Sequence, residues 1–283
     1  MPVLQRWEGI VLLELLKVIV LGIVEGITEF LPISSTGHLI VATALLQPAF
    51  TGSVDSVFVV FIQFGAVVAV VLYYARDLLD QVRRLTTSAA VRRFWLHVAI
   101  AVVPAAVVGL AARGFIKEVL FSPLVVAIML IAGGVLFIVV ERLGFAAGAT
   151  QEDIETVSLR QAVLIGCAQV VALIPGVSRS AASILGGMGV GLTRTAATRF
   201  SFYLAMPTLG AATLVDLLLS LDEITSGEEW LFLIVGAIVA GIVAWFAIDW
   251  LLKYVSRNSF VGFGVYRILA GGIILLLIAG NIL

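Results

Sequence analysis

Two carboxylates, three consecutive hydroxyls and an imidazole fall within residues 25–38, inside an otherwise apolar stretch: Glu25, Glu29, Ser34, Ser35, Thr36 and His38. Ionisable groups at membrane depth are expensive, so each requires a partner, a water-filled cavity or a ligand. A second polar island, Pro175-Gly176-Val177-Ser178-Arg179-Ser180, lies in the other half of the chain between apolar flanks. One acidic island and one carrying a lone arginine read together as a shared site for a metal and a phosphate.

The chemistry follows from residue type and spacing. Glu25 and Glu29 stand four apart, which puts both carboxylates on one helix face. Two such groups repel, and a divalent cation, Mg²⁺ or Ca²⁺, held by them and by substrate oxygens removes the repulsion. The competing reading is a pair snorkelling at a wet helix end. Ser34, Ser35 and Thr36 suit the start of a returning helix, where one caps and the free amides bind an anion. Ser35 is the candidate nucleophile or phosphate donor. His38 lies on the same side, placed to activate a serine or water, to protonate a leaving oxygen or to attack phosphorus itself. Arg179 offers a planar fork for phosphate, with Ser178 and Ser180 as further donors. Alternatively, Arg179 pairs Glu25 or Glu29 as a buried salt bridge. His97, alone in an apolar span, reads as a packing residue with a satisfied ring.

Composition says what must position these groups. The chain has 283 residues, 61% hydrophobic and only 12% charged, with a mean hydropathy of +1.17. A soluble domain carries about 25% charged residues. Apolar runs at 57–74, 123–140, 231–248 and 261–283 approach the ~20 residues that cross a bilayer as helix. They are apolar on every face, so they cannot alternate as barrel strands must. The class is an all-α polytopic membrane protein. A net charge of −1 argues against nucleic acid. Cys167, the one cysteine, cannot form an internal disulfide. No signal-peptide pattern opens the chain, so the N-terminus is expected to belong to the fold.

Proline, glycine and charge divide the chain into similar halves. Residues 10–30 form a helix that stops at Pro32, and the chain restarts after Ser34-Ser35-Thr36 and runs to about Leu46. Full spans follow at roughly 55–75, 94–112 and 123–141. The second half runs 159–174 into Pro175-Gly176, restarts at Ser178, and continues in spans at roughly 196–218, 230–251 and 260–283. Aligning Pro32 with Pro175 lays Ser35 on Ser178 and Thr36 on Arg179. The expectation is a single integral membrane domain, 1–283, of six transmembrane spans plus two re-entrant helical hairpins. Repeat 1 covers about 1–145 and repeat 2 about 155–283, in inverted topology. Arg76, Arg83, Arg84, Arg92 and Arg93 place residues 76–93 inside, whereas Asp222, Glu223, Glu228 and Glu229 place the acidic loop outside. Both termini then fall outside.

The two islands, with the later Phe200-Ser201-Phe202-Tyr203-Leu204-Ala205-Met206-Pro207, resemble the BacA-type undecaprenyl-pyrophosphate phosphatases along essentially the whole chain. The resemblance implies removal of the terminal phosphate from a polyprenyl pyrophosphate lipid, which recycles the carrier for cell-wall synthesis. It also implies dependence on a divalent cation and a site in the cytoplasmic (inner) membrane that opens outward. Glu25, Glu29, Ser35, His38, Ser178 and Arg179 then become the functional positions. The family's second motif often continues Ser-Gly-x-Thr, where this chain has Ser180-Ala181-Ala182-Ser183, and Ser183 keeps the hydroxyl. Histidine-dependent lipid phosphatases also use a Ser-Arg motif but need a later nucleophilic histidine, and no histidine follows His97. The non-enzyme alternative is a polyprenyl-phosphate transporter or flippase on the same inverted repeat. The sequence leaves open whether the protein is a homodimer.

Overall fold

Runs that are apolar on every face can satisfy their backbone in lipid only as helix, and helices form almost all of the secondary structure. The computed structural model describes residues 2–48, 54–144, 148–220, 222, 224 and 226–283, with backbone alone at 2–10, 54–56, 117, 217 and 220. The principal helices are α1 (Pro2–Thr28), α2 (Ser35–Leu46), α3 (Val54–Tyr73), α4 (Ala75–Arg84), α5 (Ala89–Ala111) and α6 (Pro123–Arg142). The second half contributes α7 (Leu159–Val170), α8 (Arg179–Gly189), α9 (Arg194–Ser220), α10 (Gly227–Val255) and α11 (Val261–Ala279).

Local chemistry sets the helix ends. Ser158 with Gln161 and Ser226 with Glu229 form capping boxes that open α7 and α10. Ser122 caps α6 ahead of Pro123 at the first helical position. The expected inside segment 76–93 is not one loop. Its charged first part coils into α4, bent 63° from α3, and Ser88 caps an α5 that starts earlier than the apolar run. Of the residues expected to form an acidic loop, Asp222 precedes α10, Glu228 and Glu229 lie in its first turn, and Glu223 falls outside the described residues.

Among the described residues four helices, α5, α6, α10 and α11, are long and apolar enough to cross a membrane, and a fifth span results if α3 and α4 count as one. Large apolar side chains point outward, among them Leu110, Leu276, Phe246 and Leu269. The protein is a multi-pass membrane protein.

Close contacts at small residues hold the bundle. A Cβ on Gly26 of α1 would lie 2.6 Å from the Ala240 carbonyl oxygen of α10. One on Gly166 of α7 would lie 2.5 Å from the Ala101 carbonyl oxygen of α5. Each arm that leads into a polar island therefore packs against a helix from the other half of the chain. α6 and α11 meet through Gly134 and Gly264, whose added Cβ atoms would lie 2.5 and 2.7 Å from each other's carbonyl oxygens. Between these pairs sits an aromatic core in which Phe30 meets Phe202 edge-on at 5.4 Å and Tyr203 meets Phe94 at 5.3 Å. The arginine-rich end closes with ion pairs, Arg84 to Asp80 at 2.7 Å and to Glu155 at 2.8 Å.

Candidate active site at the two helix breaks

The chain leaves α1 at Thr28, turns through Pro32 and re-enters helix at Ser35. It leaves α7, turns through Pro175-Gly176 and re-enters at Arg179. The residue before each restart is a serine in the left-handed region: Ser34 at φ 73° and Ser178 at φ 76°. Non-glycine residues rarely adopt that conformation. Laid on one another by these serines, Ser34 falls on Ser178 and Ser35 on Arg179, one residue from the proline-to-proline alignment.

Glu29 is the hinge of the site. Its Oε2 accepts from the Ser35 hydroxyl at 2.7 Å and its Oε1 from Nη2 of Arg179 at 3.2 Å. Arg179 also donates from Nη1 to the Ser201 carbonyl at 3.1 Å and to the Ser201 hydroxyl at 3.3 Å, and its guanidinium lies 5.7 Å from the Phe30 ring centre. Arg179 Nε is buried without a partner. A charged donor with capacity to spare thus sits beside a hydroxyl that is hydrogen-bonded to a carboxylate. Both readings of Arg179 have a basis here, since the salt bridge to Glu29 exists and the fork still has an unused donor.

Glu25, one helical turn earlier, is 1% exposed, and neither of its carboxylate oxygens has a hydrogen-bond partner. A buried carboxylate without partners is costly. A divalent cation fits this donor set: Glu25 supplies free oxygens and Glu29 a second carboxylate nearby. No group of three or more metal-binding side chains occurs among the described residues, so a cation here would complete its shell with non-protein oxygens.

The remaining residues divide by what they touch. His38 is held at both nitrogens, Nδ1 against the Ser34 carbonyl at 2.8 Å and Nε2 against the Tyr266 hydroxyl at 2.7 Å. A carbonyl can only accept, so Nδ1 carries the proton and Nε2 accepts from the phenol. Neither nitrogen is bonded to Ser35. Ser178 caps α8 through Ala181 N at 3.2 Å and meets the Ser180 hydroxyl at 2.9 Å. The Ser180 hydroxyl donates to the Leu31 carbonyl at 3.0 Å, tying one turn to the other. Ser183 donates to the Arg179 carbonyl and meets the Ser201 hydroxyl at 2.7 Å. Ser34 is buried without a side-chain cap, and Thr36 is half-buried at the head of α2. His97 donates from Nδ1 to the Val157 carbonyl at 2.7 Å, as a satisfied packing histidine should.

Sequence reasoning missed Arg267 on α11. It is fully buried and donates to the Pro32 carbonyl at 3.0 Å and the Gly176 carbonyl at 2.9 Å, one from each turn. It also donates to the Met129 and Leu130 carbonyls of α6 at 3.2 and 3.4 Å. Gly133 leaves room for it, since a Cβ there would lie 2.3 Å from Nη2. The available signal was a lone arginine in the last apolar run. Gly176 accepts from it with φ at +94°, a conformation that favours glycine.

Residues 18–273 match the family described as bacitracin resistance protein BacA. A Deinococcus radiodurans protein named undecaprenyl-diphosphatase is 48% identical over 266 residues, covering 94% of this chain and 96% of its own. A Thermoanaerobacter sp. relative of the same name is 43% identical over 268 residues, covering 95% and 98%. One from Psychrobacter sp., also so named, is 44% identical over 273 residues, covering 94% and 95%.

Proposed function

The chain belongs to the BacA family of bacitracin resistance proteins, and from that membership we propose that it hydrolyses undecaprenyl diphosphate to undecaprenyl phosphate and inorganic phosphate. The observation that carries the reading is Glu29, which joins the Ser35 hydroxyl of one turn to the Arg179 guanidinium of the other. The relatives are named for hydrolysis, so the transporter reading is not favoured.

Ser35 is placed to attack the terminal phosphoryl group while Glu29 takes its proton through the existing hydrogen bond. The bond to the departing lipid phosphate breaks, and water then releases phosphate from the serine. Arg179 swings part of its fork from Glu29 to the phosphoryl oxygens, where it stabilises the charge that develops. α2 and α8 each begin just after a serine at positive φ, and the free amides of a helix start suit an anion. With both ring nitrogens held, His38 fits a positioning role better than that of direct base to Ser35. A divalent cation held by Glu25 and Glu29 would supply charge neutralisation on the diphosphate.

The same proposal takes the two broken helices as re-entrant hairpins and the halves as an inverted repeat of six spans. The matched serines and the reciprocal packing of α1 on α10 and α7 on α5 support it. It places the protein in the cytoplasmic membrane with the site opening outward. Purified protein in detergent should release phosphate from undecaprenyl diphosphate with Mg²⁺ or Ca²⁺ present and stop in excess chelator. No release under any cation would overturn the hydrolase reading, and full activity in chelator would remove the cation from it.

A further inference from the structure

Glu25 is not alone in lacking partners. On the opposite arm Gln169 is 2% exposed, and neither its amide nitrogen nor its carbonyl oxygen has a hydrogen-bond partner. Buried polar groups are nearly always satisfied, so an orphaned amide calls for a cause. The register set by the two left-handed serines supplies one. The shift that carries Ser34 to Ser178 also carries Gly22 to Gly166 and Glu25 to Gln169. Gly22 and Gly166 share one close contact, since a Cβ on either would lie 2.8 or 2.5 Å from a carbonyl oxygen of a helix in the other half. Glu25 and Gln169 are therefore counterparts, both buried and both without partners.

Direction follows from the same register. Glu25 shares its helix face with Glu29, which reaches across to Arg179, so that face looks at the junction of the two turns. By that register the corresponding face of α7, on which Ile165 and Gly166 are also buried, turns Gln169 toward the same junction. Glutamate and glutamine have one shape and opposite capacity: a carboxylate only accepts, whereas the amide nitrogen donates twice. The exchange fits the division of the site, with acids on the first arm and donors, Ser178 and Arg179, on the second.

We propose that Gln169 is a binding residue for the diphosphate headgroup, its amide nitrogen donating to a phosphate oxygen held between the two turns. The proposal rests on the hydrolase reading above. It makes an unusual demand, because an orphan amide that serves no ligand should be better replaced by an apolar group.

The test uses full-length protein in detergent with undecaprenyl diphosphate and Mg²⁺, measuring KM, kcat and thermal unfolding. Wild-type turnover secures the parent reading independently, and its absence would fail that reading rather than this one. Gln169→Met should unfold at or above the wild-type temperature yet show KM raised roughly tenfold or more, the loss expected of a hydrogen bond to a charged group. Gln169→Glu, the same shape with a carboxylate facing phosphate, should raise KM further. Wild-type KM in Gln169→Met would overturn the proposal. So would a KM in Gln169→Glu at or below wild type, which also decides the matter should the methionine variant fail to fold.

Discussion

At the scale of single residues the site depends on geometry as much as on charge. Arg179 spans from Glu29 to Ser201 with two nitrogens of one planar group, an arrangement a lysine ammonium cannot copy. Arg179→Lys should insert and fold, and should lose about 10²-fold or more in phosphate release, the scale of losing an oxyanion donor. Near-wild-type turnover would reduce Arg179 to a partner for Glu29. Glu29→Gln removes both the proton acceptor and a cation-binding charge, so turnover should fall below detection and the cation concentration needed for half-activity should no longer be definable. Residue type and spacing made Glu29, Ser35 and Arg179 legible, because a carboxylate, a hydroxyl and a guanidinium in apolar flanks have few other uses. His38 was legible as a polar group but not in its partner, since Tyr266 comes from the far end of the chain. Ser180 reads as a phosphate donor and Ser183 as the hydroxyl that the second motif keeps, and the two hydroxyls donate to the Leu31 and Arg179 carbonyls.

At the scale of elements, each broken helix leaves backbone carbonyls that must be satisfied inside the protein. Arg267 satisfies one from each turn, and without it the Pro32 and Gly176 carbonyls would face an apolar gap. Arg267→Met fills similar volume and donates nothing. It should destabilise the protein by at least about 3 kcal/mol, since unsatisfied buried acceptors cost about 1–3 kcal/mol each, read as a lower unfolding midpoint in detergent. Activity should fall in step, because the turns carry Ser35 and Arg179. Unchanged stability would mean that water replaces the guanidinium. Most helices were readable from hydropathy to within a few residues, the spans α3 and α6 most closely, whereas α1 begins at Pro2 rather than near residue 10. The register between the turns was not, because proline marks a break without fixing its dihedral angles, and only the left-handed serines do that.

At the scale of the whole molecule, charge asymmetry sets orientation. In a background with Cys167 replaced by serine, a cysteine at Glu228 should react with an impermeant reagent from outside, and one at Arg84 should not. The reverse pattern would overturn the inverted-repeat proposal. The multi-pass class was legible from composition alone, whereas the pairing of helices was not: periodicity names a helix face but not the distant face that covers it.

That pairing bears on how the protein comes into being. Gly26 of α1 packs against Ala240, Val243 and Ala244 of α10, far along the chain. A ribosome releases the first arm, with Glu25 and Glu29 on it, long before the surface that receives it exists. Contacts so remote in sequence form late, so the nascent first half must shelter two carboxylates by other means, in the translocation machinery or with an insertion chaperone. A chain truncated after residue 145 should therefore be unable to hold its first arm in place, and supplying the second half as a separate polypeptide should rescue it.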